Sequence, residues 1–126
     1  MGEELSEMAG DQEGMGEGMD RLLGKAARGE GLSPGESQYL RDMMYEESLM
    51  RRALDGMTGS GEASRDARDK LGEAARELAE MEKEAVANPL QEKIRERQKN
   101  VLRKLLEAKE SIEEKGYRRE RKAVGA

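Results

Sequence analysis

The sequence contains no cysteine, histidine, tryptophan or phenylalanine, and only two prolines. Without cysteine the chain has no disulfide framework and no thiolate chemistry. The lack of histidine as well removes the usual ligand sets of zinc, haem and copper sites. We therefore expect no cofactor and no metal. Cysteine usage gives no indication of the redox compartment.

Large apolar side chains are also scarce. Leu, Ile, Val and Phe supply 18 of the 126 residues, below the roughly 20% at which an ordinary globular core becomes doubtful. Ala, Glu, Lys, Arg and Leu supply 72 residues, a composition typical of coiled coils and long helices. Disorder would call for a high net charge, whereas 23 basic and 28 acidic residues leave only −5. The composition favours solvated helix faces.

Charge is distributed unevenly along the chain. Residues 1–64 carry 14 acidic and 6 basic side chains, whereas residues 65–126 carry 14 acidic and 17 basic ones. An acidic first half and a mildly basic second half favour antiparallel packing within the chain, or association with a partner of the same design.

The first segment, residues 1–33, is rich in glycine and methionine. Apolar residues and one glutamine recur in it at alternating spacings of three and four, as in the seam of a coiled coil. These positions are Leu5, Met8, Gln12, Met15, Met19, Leu22 and Ala26. Five glycines lie between them, and each costs about 1 kcal/mol relative to alanine in a helix. We expect a marginal or disordered segment whose helix forms only when it docks on another surface.

A second helix is predicted over residues 34–57. Ser33 is suited to the N-cap, Pro34 to the first helical position, and Glu36 to the third position of a capping box. Its seam residues are Leu40, Met43, Met50 and Leu54. Glu47 occupies a seam position and weakens the stripe at mid-length.

Residues 58–61, Thr-Gly-Ser-Gly, are predicted to be a flexible linker. A third helix over residues 62–87 follows it. Its seam contains Leu71, Leu78 and Met81, together with several alanines that permit close approach of a neighbouring helix. The alanines bury little area per residue, so this seam contributes less hydrophobic stabilisation than a leucine seam.

The fourth helix is predicted over residues 88–116, with Asn88 as its cap and Pro89 at its first position. Its seam is the strongest in the chain and contains Ile94, Val101, Leu105 and Ile112. Gly116 is suited to end the helix. Residues 117–126 then form a basic tail.

Together these patterns predict an all-α protein of long amphipathic helices, packed as helical hairpins, a bundle or a coiled coil. No stretch shows the alternation of a strand. No run approaches the roughly 20 apolar residues of a membrane span, and the acidic N-terminus is unlike a signal peptide. The chain as written is expected to be soluble.

Candidate catalytic groups are weak. Carboxylate pairs such as Glu46-Glu47 and Glu113-Glu114 could in principle exchange protons. On exposed helix faces, without an apolar pocket to raise a pKa, they are interpreted as solvated charges. We therefore expect no enzyme.

The basic tail is the one cluster suited to an anion. Arg118, Arg119, Arg121 and Lys122 follow Tyr117 and could contact phosphate or an anionic lipid. A solvated helix-terminal tail explains the same residues, and one tyrosine is too little for a base-stacking platform.

The nine methionines allow two interpretations. Methionine provides soft, adaptable surfaces at which many helices can bind, and it also fills irregular cores. The two interpretations differ in whether the partner helix belongs to the same chain.

One stretch resembles a known family. Residues 96–108, ERQKNVLRKLLEA, are followed by Ser111-Ile112 and by GYRRERKA at residues 116–123. They are similar to the C-terminal region of a family of large bacterial envelope proteins of unknown function, with the pattern ERQxxILSRLLDAQxSxxERDYxxxR. Arg103, Lys109 and Gly116 depart from that pattern. The resemblance implies an upstream membrane anchor, a long extracytoplasmic coiled-coil region and the periplasm, and it implies no catalytic residue.

Three functional hypotheses follow. The first is a non-enzymatic helical interaction or scaffolding segment of a bacterial cell-envelope protein, which binds a protein partner or a second copy through its helix seams. The second is a small cytoplasmic nucleic-acid- or ribosome-associated protein that uses the basic tail, although the acidic first half argues against it. The third is an adaptor whose first 30 residues become ordered on binding.

Overall fold

The computed structural model describes residues 2–59 and 64–125, with side chains as far as residue 113. These residues form four helices and no strand: α1 (Gly2–Ala27), α2 (Pro34–Gly59), α3 (Arg65–Ala87) and α4 (Glu92–Gly125). The prediction of an all-α helical bundle is confirmed.

The helices form an antiparallel bundle. Near one end, Arg97 of α4 bonds to Glu84 of α3, and near the other Ser111 of α4 bonds to Asp66. Helix α3 packs closely against both α4 and α2, and α1 packs closely against α4. The backbones of α1 and α2, although consecutive in the chain, approach closely at only a few positions, and side chains bridge the space between them.

The core contains the predicted seam positions. They are buried at Leu40, Met43, Met50, Leu54, Leu71, Leu78, Met81, Ile94, Val101 and Leu105. Ile112 is partly buried and packs against the edge of this core. The few branched aliphatic side chains are therefore concentrated on the inner faces of the helices, where each removes apolar surface from water.

The glycine-rich first segment is a helix over residues 2–27 that docks on α4, as expected of a helix that needs another surface, and the weak order expected for it is not shown. Its seam supplies the reason. Leu5, Met19 and Leu22 are buried in the common core, because α4 provides the docking surface that the helix requires. Packing of an amphipathic face, rather than helix propensity, accounts for α1.

Two of the α1 glycines make room for side chains of other helices. A methyl group on Gly16 would lie 2.8 Å from the guanidinium carbon of Arg95, and one on Gly18 would lie 2.8 Å from two ring carbons of Tyr39. Arg95 passes α1 at Gly16 and binds Asp20 at 2.8 Å. At these positions the missing side chain allows α4 and α2 to reach across α1.

Gly14 provides a stability test of this arrangement, because nothing lies within 4 Å of the position of its absent side chain. Gly14→Ala is expected to raise the free energy of unfolding by about 1 kcal/mol. Gly18→Ala is expected to gain less, since the new methyl group displaces the Tyr39 ring. Urea unfolding followed by circular dichroism measures both changes, and equal gains would show that the ring does not pack on Gly18.

The start of α2 has the predicted capping box. Ser33 Oγ accepts a hydrogen bond from the Glu36 amide at 3.1 Å, and Glu36 Oε1 accepts one from the Ser33 amide at 2.9 Å. At its other end α2 includes Thr58 and Gly59, which were predicted to belong to the linker. The remainder of that linker lies outside the described residues. Helix α3 begins at Arg65, after Ser64, whose Oγ accepts from the Ala67 amide at 3.2 Å.

The connection between α3 and α4 differs from the predicted cap. Asn88 ends α3 instead of starting α4, and its Oδ1 accepts from the Leu90 amide at 3.0 Å, two residues on. The Gln91 amide group donates to the carbonyls of Glu84 and Asn88 and so satisfies the end of α3. Residues 88–91 therefore form a turn, and α4 begins at Glu92.

The predicted end of α4 at Gly116 is also wrong, because the helix continues to Gly125. No proline follows Gly116, and residues 118–123 are Arg, Glu, Lys and Ala, all good helix formers. Their propensity outweighs the roughly 1 kcal/mol that one glycine costs. The basic tail is thus part of the helix.

Candidate functional site

Three polar side chains meet in the core of the bundle. Gln12 of α1 donates to Glu47 Oε2 of α2 at 3.0 Å, and Gln98 of α4 donates to the same oxygen at 3.3 Å. Gln98 also lies 3.5 Å from the sulfur of Met43. None of the three polar side chains is more than 1% exposed. We refer to Gln12, Glu47 and Gln98 as the interior polar cluster.

Burial strongly affects the carboxyl group of this cluster. Loss of hydration raises the pKa of Glu47 to about 7, and the hydrogen bonds from Gln12 and Gln98 offset only part of that rise. The two groups that bond to Glu47 are neutral amides, so no cation pairs with its charge there. A buried carboxylate without a cation is costly, and protonation relieves that cost.

The unpaired atoms in the interior polar cluster are all acceptors. Within the described part of the chain, Oε1 of Gln12, Oε1 of Glu47 and Oε1 of Gln98 are buried and have no hydrogen-bond partner. A protonated Glu47 carboxyl group supplies an O–H donor to this surplus of oxygens. Burial and this surplus of acceptors favour the neutral acid, against the two amide hydrogen bonds, which favour the charged form.

The interpretation of Glu46-Glu47 as solvated is wrong for one of the two residues. Glu46 is exposed, whereas Glu47 is buried at the seam position that its spacing predicts. The sequence interpretation did not select Gln98, although it continues the spacing of three and four between Ile94 and Val101. Polar residues on an apolar seam were the signal that could have identified the cluster.

A groove separates α1 from α2 on one side of the bundle. Its volume is about 640 Å³. The walls are formed by Met8, Gly10, Asp11, Gly14 and Met15 of α1 and by Tyr39, Glu46, Leu49, Met50 and Ala53 of α2. Met8 and Met15 are only partly buried, and Leu49 is 37% exposed. We call this surface the α1–α2 groove.

The charge of the α1–α2 groove is of one sign. Asp11 and Glu46 lie on its opposite walls, both exposed and neither in an ion pair among the described side chains. No described basic residue lines it. Gly10 and Gly14 leave a smooth strip along the α1 wall, with nothing within 4 Å of either missing side chain.

The opposite side of the bundle, between α3 and α4, is closed by ion pairs. Arg97 binds Glu77 at 3.0 Å and Glu84 at 2.9 Å, and Lys104 binds Glu73 at 2.8 Å. These contacts raise the pKa of Arg97 and lower the pKa of Glu84 and Glu73. The partners are half-buried at the edge of the bundle, so water still screens their charges, and they position the two helices more than they stabilise them.

A smaller apolar cleft of about 310 Å³ lies between α2 and α3. Its lining includes Met44, Met81, Ala85 and Val86. Val86 is 89% exposed at the rim. This cleft lies on another pair of helices and provides a comparison for the α1–α2 groove.

Among the residues that the structure describes, no group of three or more Asp or Glu side chains is arranged to hold a metal ion. Nor does this part of the chain include a helix that is both long and apolar enough to cross a membrane.

The candidate anion-binding residues lie on the last turns of α4. Arg118, Arg119, Arg121 and Lys122 belong to that helix, but their side chains lie outside the described ones. That these residues contact phosphate or lipid stays a prediction. The hypothesis of nucleic-acid binding, which depends on that contact, stays a prediction as well.

Comparison with known proteins shows no relationship: no family model, no curated protein and no solved structure matches the chain. The resemblance of residues 96–123 to envelope proteins stays an expectation from the sequence.

Proposed function

We propose that the protein is a non-enzymatic helical interaction module that binds another helix in the α1–α2 groove. The observation that carries the proposal is the separation of these two helices. The backbones of each other adjacent pair lie close together over much of their length, whereas those of α1 and α2 approach closely at only a few positions. The α1–α2 side of the bundle therefore leaves room for a further helix between existing ones.

The residues of the groove walls recur at helical spacings. Met8 and Met15 are seven residues apart on α1, and Leu49 and Ala53 are four apart on α2. A docked helix would pack its ridges between these rows. Gly10 and Gly14 have no neighbour within the chain, and glycines on a helix face let another backbone approach closely. This use explains two residues that otherwise only weaken α1.

The methionines fit both of their proposed uses. Met19, Met43 and Met81 are buried in the core, whereas Met8 and Met15 stay partly exposed on the groove wall. Flexible, polarizable side chains at an open surface are suited to adapt to an incoming helix.

The cellular context of this proposal comes from the resemblance alone. A helical segment of an envelope protein would act as a scaffold in the periplasm, where it would bring other helices of the envelope together. A chain unrelated to that family would perform the same docking in the cytoplasm.

The proposal is tested by selection of peptides from a displayed library of amphipathic helices on the immobilised full chain. We expect the enriched peptides to lose binding to the Leu49→Glu variant, because the new charge would be buried under the docked helix. Titration calorimetry with synthetic peptides measures the loss.

Val86→Glu is the matched control, since Val86 is an exposed apolar residue on α3, away from the groove. Binding to that variant should be unchanged. Enriched peptides that bind Leu49→Glu as well as the unaltered chain would place the interaction surface elsewhere, and the proposal would be wrong.

A further inference from the structure

We propose that the helix that occupies the α1–α2 groove is the C-terminal segment of α4, residues 114–125, of a second copy of the chain. Two copies would exchange these segments in a symmetric dimer. The inference rests on the proposed function of the groove as a helix-binding surface, and it names the partner.

Charge complementarity is the first argument. Asp11 and Glu46 give the groove two unpaired carboxylates and no described base. Residues 114–125 carry five basic and two acidic side chains. A helix of net charge +3 would therefore meet a surface of net negative charge, which favours binding and sets its orientation.

The position of the segment is the second argument. Ser111 bonds to Asp66 at the start of α3. Gln12 of α1 and Gln98 of α4 bind the same carboxyl group, so they lie at about the same level of the bundle. Because α1 and α4 are antiparallel and α1 starts ten residues before Gln12, its start lies opposite about residue 108 of α4. Residues 114–125 thus extend α4 past the starts of α1 and α3, away from the groove of their own chain. A second copy can receive them, whereas their own chain cannot.

The length of the segment is the third argument. At 1.5 Å per residue, residues 114–125 lie about 9 to 26 Å beyond residue 108, which is level with the start of α1. On the same scale, Met8 lies about 9 Å and Met15 about 20 Å from the first residue of α1. When two bundles meet end to end at this side, each segment spans the other's groove from the level of Met8 to beyond Met15. Arg118 and Arg119 then fall near the level of Asp11.

The apolar residues of the segment have the same spacing as those on the α1 wall of the groove. Tyr117 and Val124 are seven residues apart in the segment, as Met8 and Met15 are on α1. Because each copy provides one segment and one groove, the exchange closes at two copies instead of forming a filament. A twofold dimer is the simplest assembly that satisfies both grooves.

The test uses two charge-reversed forms of the full chain, Asp11→Lys with Glu46→Lys in the groove, and Arg118→Glu with Arg119→Glu in the segment. Sedimentation velocity from micromolar to millimolar concentration at low salt measures association. We expect the unaltered chain to dimerise, and each form alone to dimerise about tenfold or more weakly, since like charges then meet at both grooves. An equimolar mixture of the two forms should regain the dimer, because every groove again meets a segment of opposite charge.

Glu13→Lys with Glu17→Lys is the control of equal charge change, on exposed α1 residues that do not line the groove. An unaltered chain that stays monomeric would overturn the inference, as would a mixture that fails to recover the dimer or a control that weakens it equally. These outcomes do not decide the proposed function. If only the identity of the partner were wrong, the selected peptides would still bind the groove and would still lose binding to the Leu49→Glu variant.

Discussion

Replacement of Leu105 by aspartate is expected to remove most of the stability of the bundle. Leu105 is fully buried on α4, the helix that packs against both α1 and α3. The substitution removes the transfer free energy of a leucine side chain and buries a carboxylate with no counter-charge. We expect a loss of about 4 kcal/mol or more. A domain of this size is commonly stabilised by about 5–15 kcal/mol, and a chain with so few aliphatic residues belongs at the low end.

The matched control is the next residue in the chain. Leu106 is 47% exposed, so aspartate there remains hydrated and should change the free energy of unfolding by less than about 1 kcal/mol. Circular dichroism at 222 nm during thermal unfolding compares the two variants. Equal losses at the two positions would show that the inner face of α4 has been assigned incorrectly.

The contrast between these neighbours shows why the helix faces could be predicted. Residues that recur at spacings of three and four lie on one side of a helix whatever it packs against. Leu105 belongs to such a series and Leu106 does not. This periodicity depends only on the geometry of one helix, so it survives even in α1, whose glycines lower its intrinsic helix propensity.

The ends of helices were predictable where one local hydrogen-bond pattern prevails over the others. Ser33 and Glu36 cap each other across three residues, and the structure has both bonds. The Asn88 side chain can cap the next helix or accept a hydrogen bond from the amide two residues further along the chain. Which of the two forms depends on the end of α3, where the Gln91 side chain bonds to a backbone carbonyl. Local sequence alone does not decide between such options.

The α1–α2 groove could not be predicted from the sequence. Periodicity indicates which face of each helix is apolar, but not how far apart two apolar faces lie. The wide separation of α1 from α2 results from the close packing of α1 on α4 and of α2 on α3. The interior polar cluster could be predicted in part. The sequence places Gln12 and Glu47 on helix seams, but their contact with Gln98 could be predicted only from the order of the helices around the bundle.

The interior polar cluster also connects the two helices that the groove separates. Gln12 and Glu47 provide a buried hydrogen bond between α1 and α2. Glu46, next to Glu47 in the chain, and Met50, three residues after it, line the groove itself. The protonation of Glu47 therefore bears on the pair of helices to which a partner helix is proposed to bind.

Glu47 is expected to make the protein less stable as the pH rises from about 4.5 to about 7. The unfolded chain ionises Glu47 near its ordinary pKa of 4.5, whereas burial raises the pKa to about 7 in the folded state. Between these values the folded state holds a proton that the unfolded state has released, so the free energy of unfolding falls with pH. The stabilisation from the neutral acid is fully present below pH 4.5 and lost above pH 7. The gap corresponds to about 3 kcal/mol.

The ion-paired carboxylates at the edge of the bundle act in a different range of pH. Contacts with Lys25 and Ser33 lower the pKa of Glu36 to about 2, and ion pairs lower the pKa of Asp20 and Glu84. Their stabilisation is present above about pH 4.5 and is lost as the pH falls through their lowered pKa values. The two effects have opposite signs and separate ranges, so stability should be greatest near pH 4.5 to 5.

Glu47→Gln isolates the contribution of the buried acid. Its amide keeps the shape of the side chain, supplies an N–H donor to the surplus oxygens of Gln12 and Gln98, and does not ionise. The variant should match the unaltered protein at pH 4.5 and exceed it by about 3 kcal/mol at pH 8. Urea unfolding at a series of pH values measures this difference, with Glu46→Gln, on the adjacent exposed residue, as the control that leaves the profile unchanged. If Glu47→Gln kept the fall between pH 4.5 and pH 7, another group would be responsible for it. A flat profile for Glu47→Gln would instead show that ionisation of Glu47 causes the fall in stability, and that the fold is most stable when Glu47 is neutral.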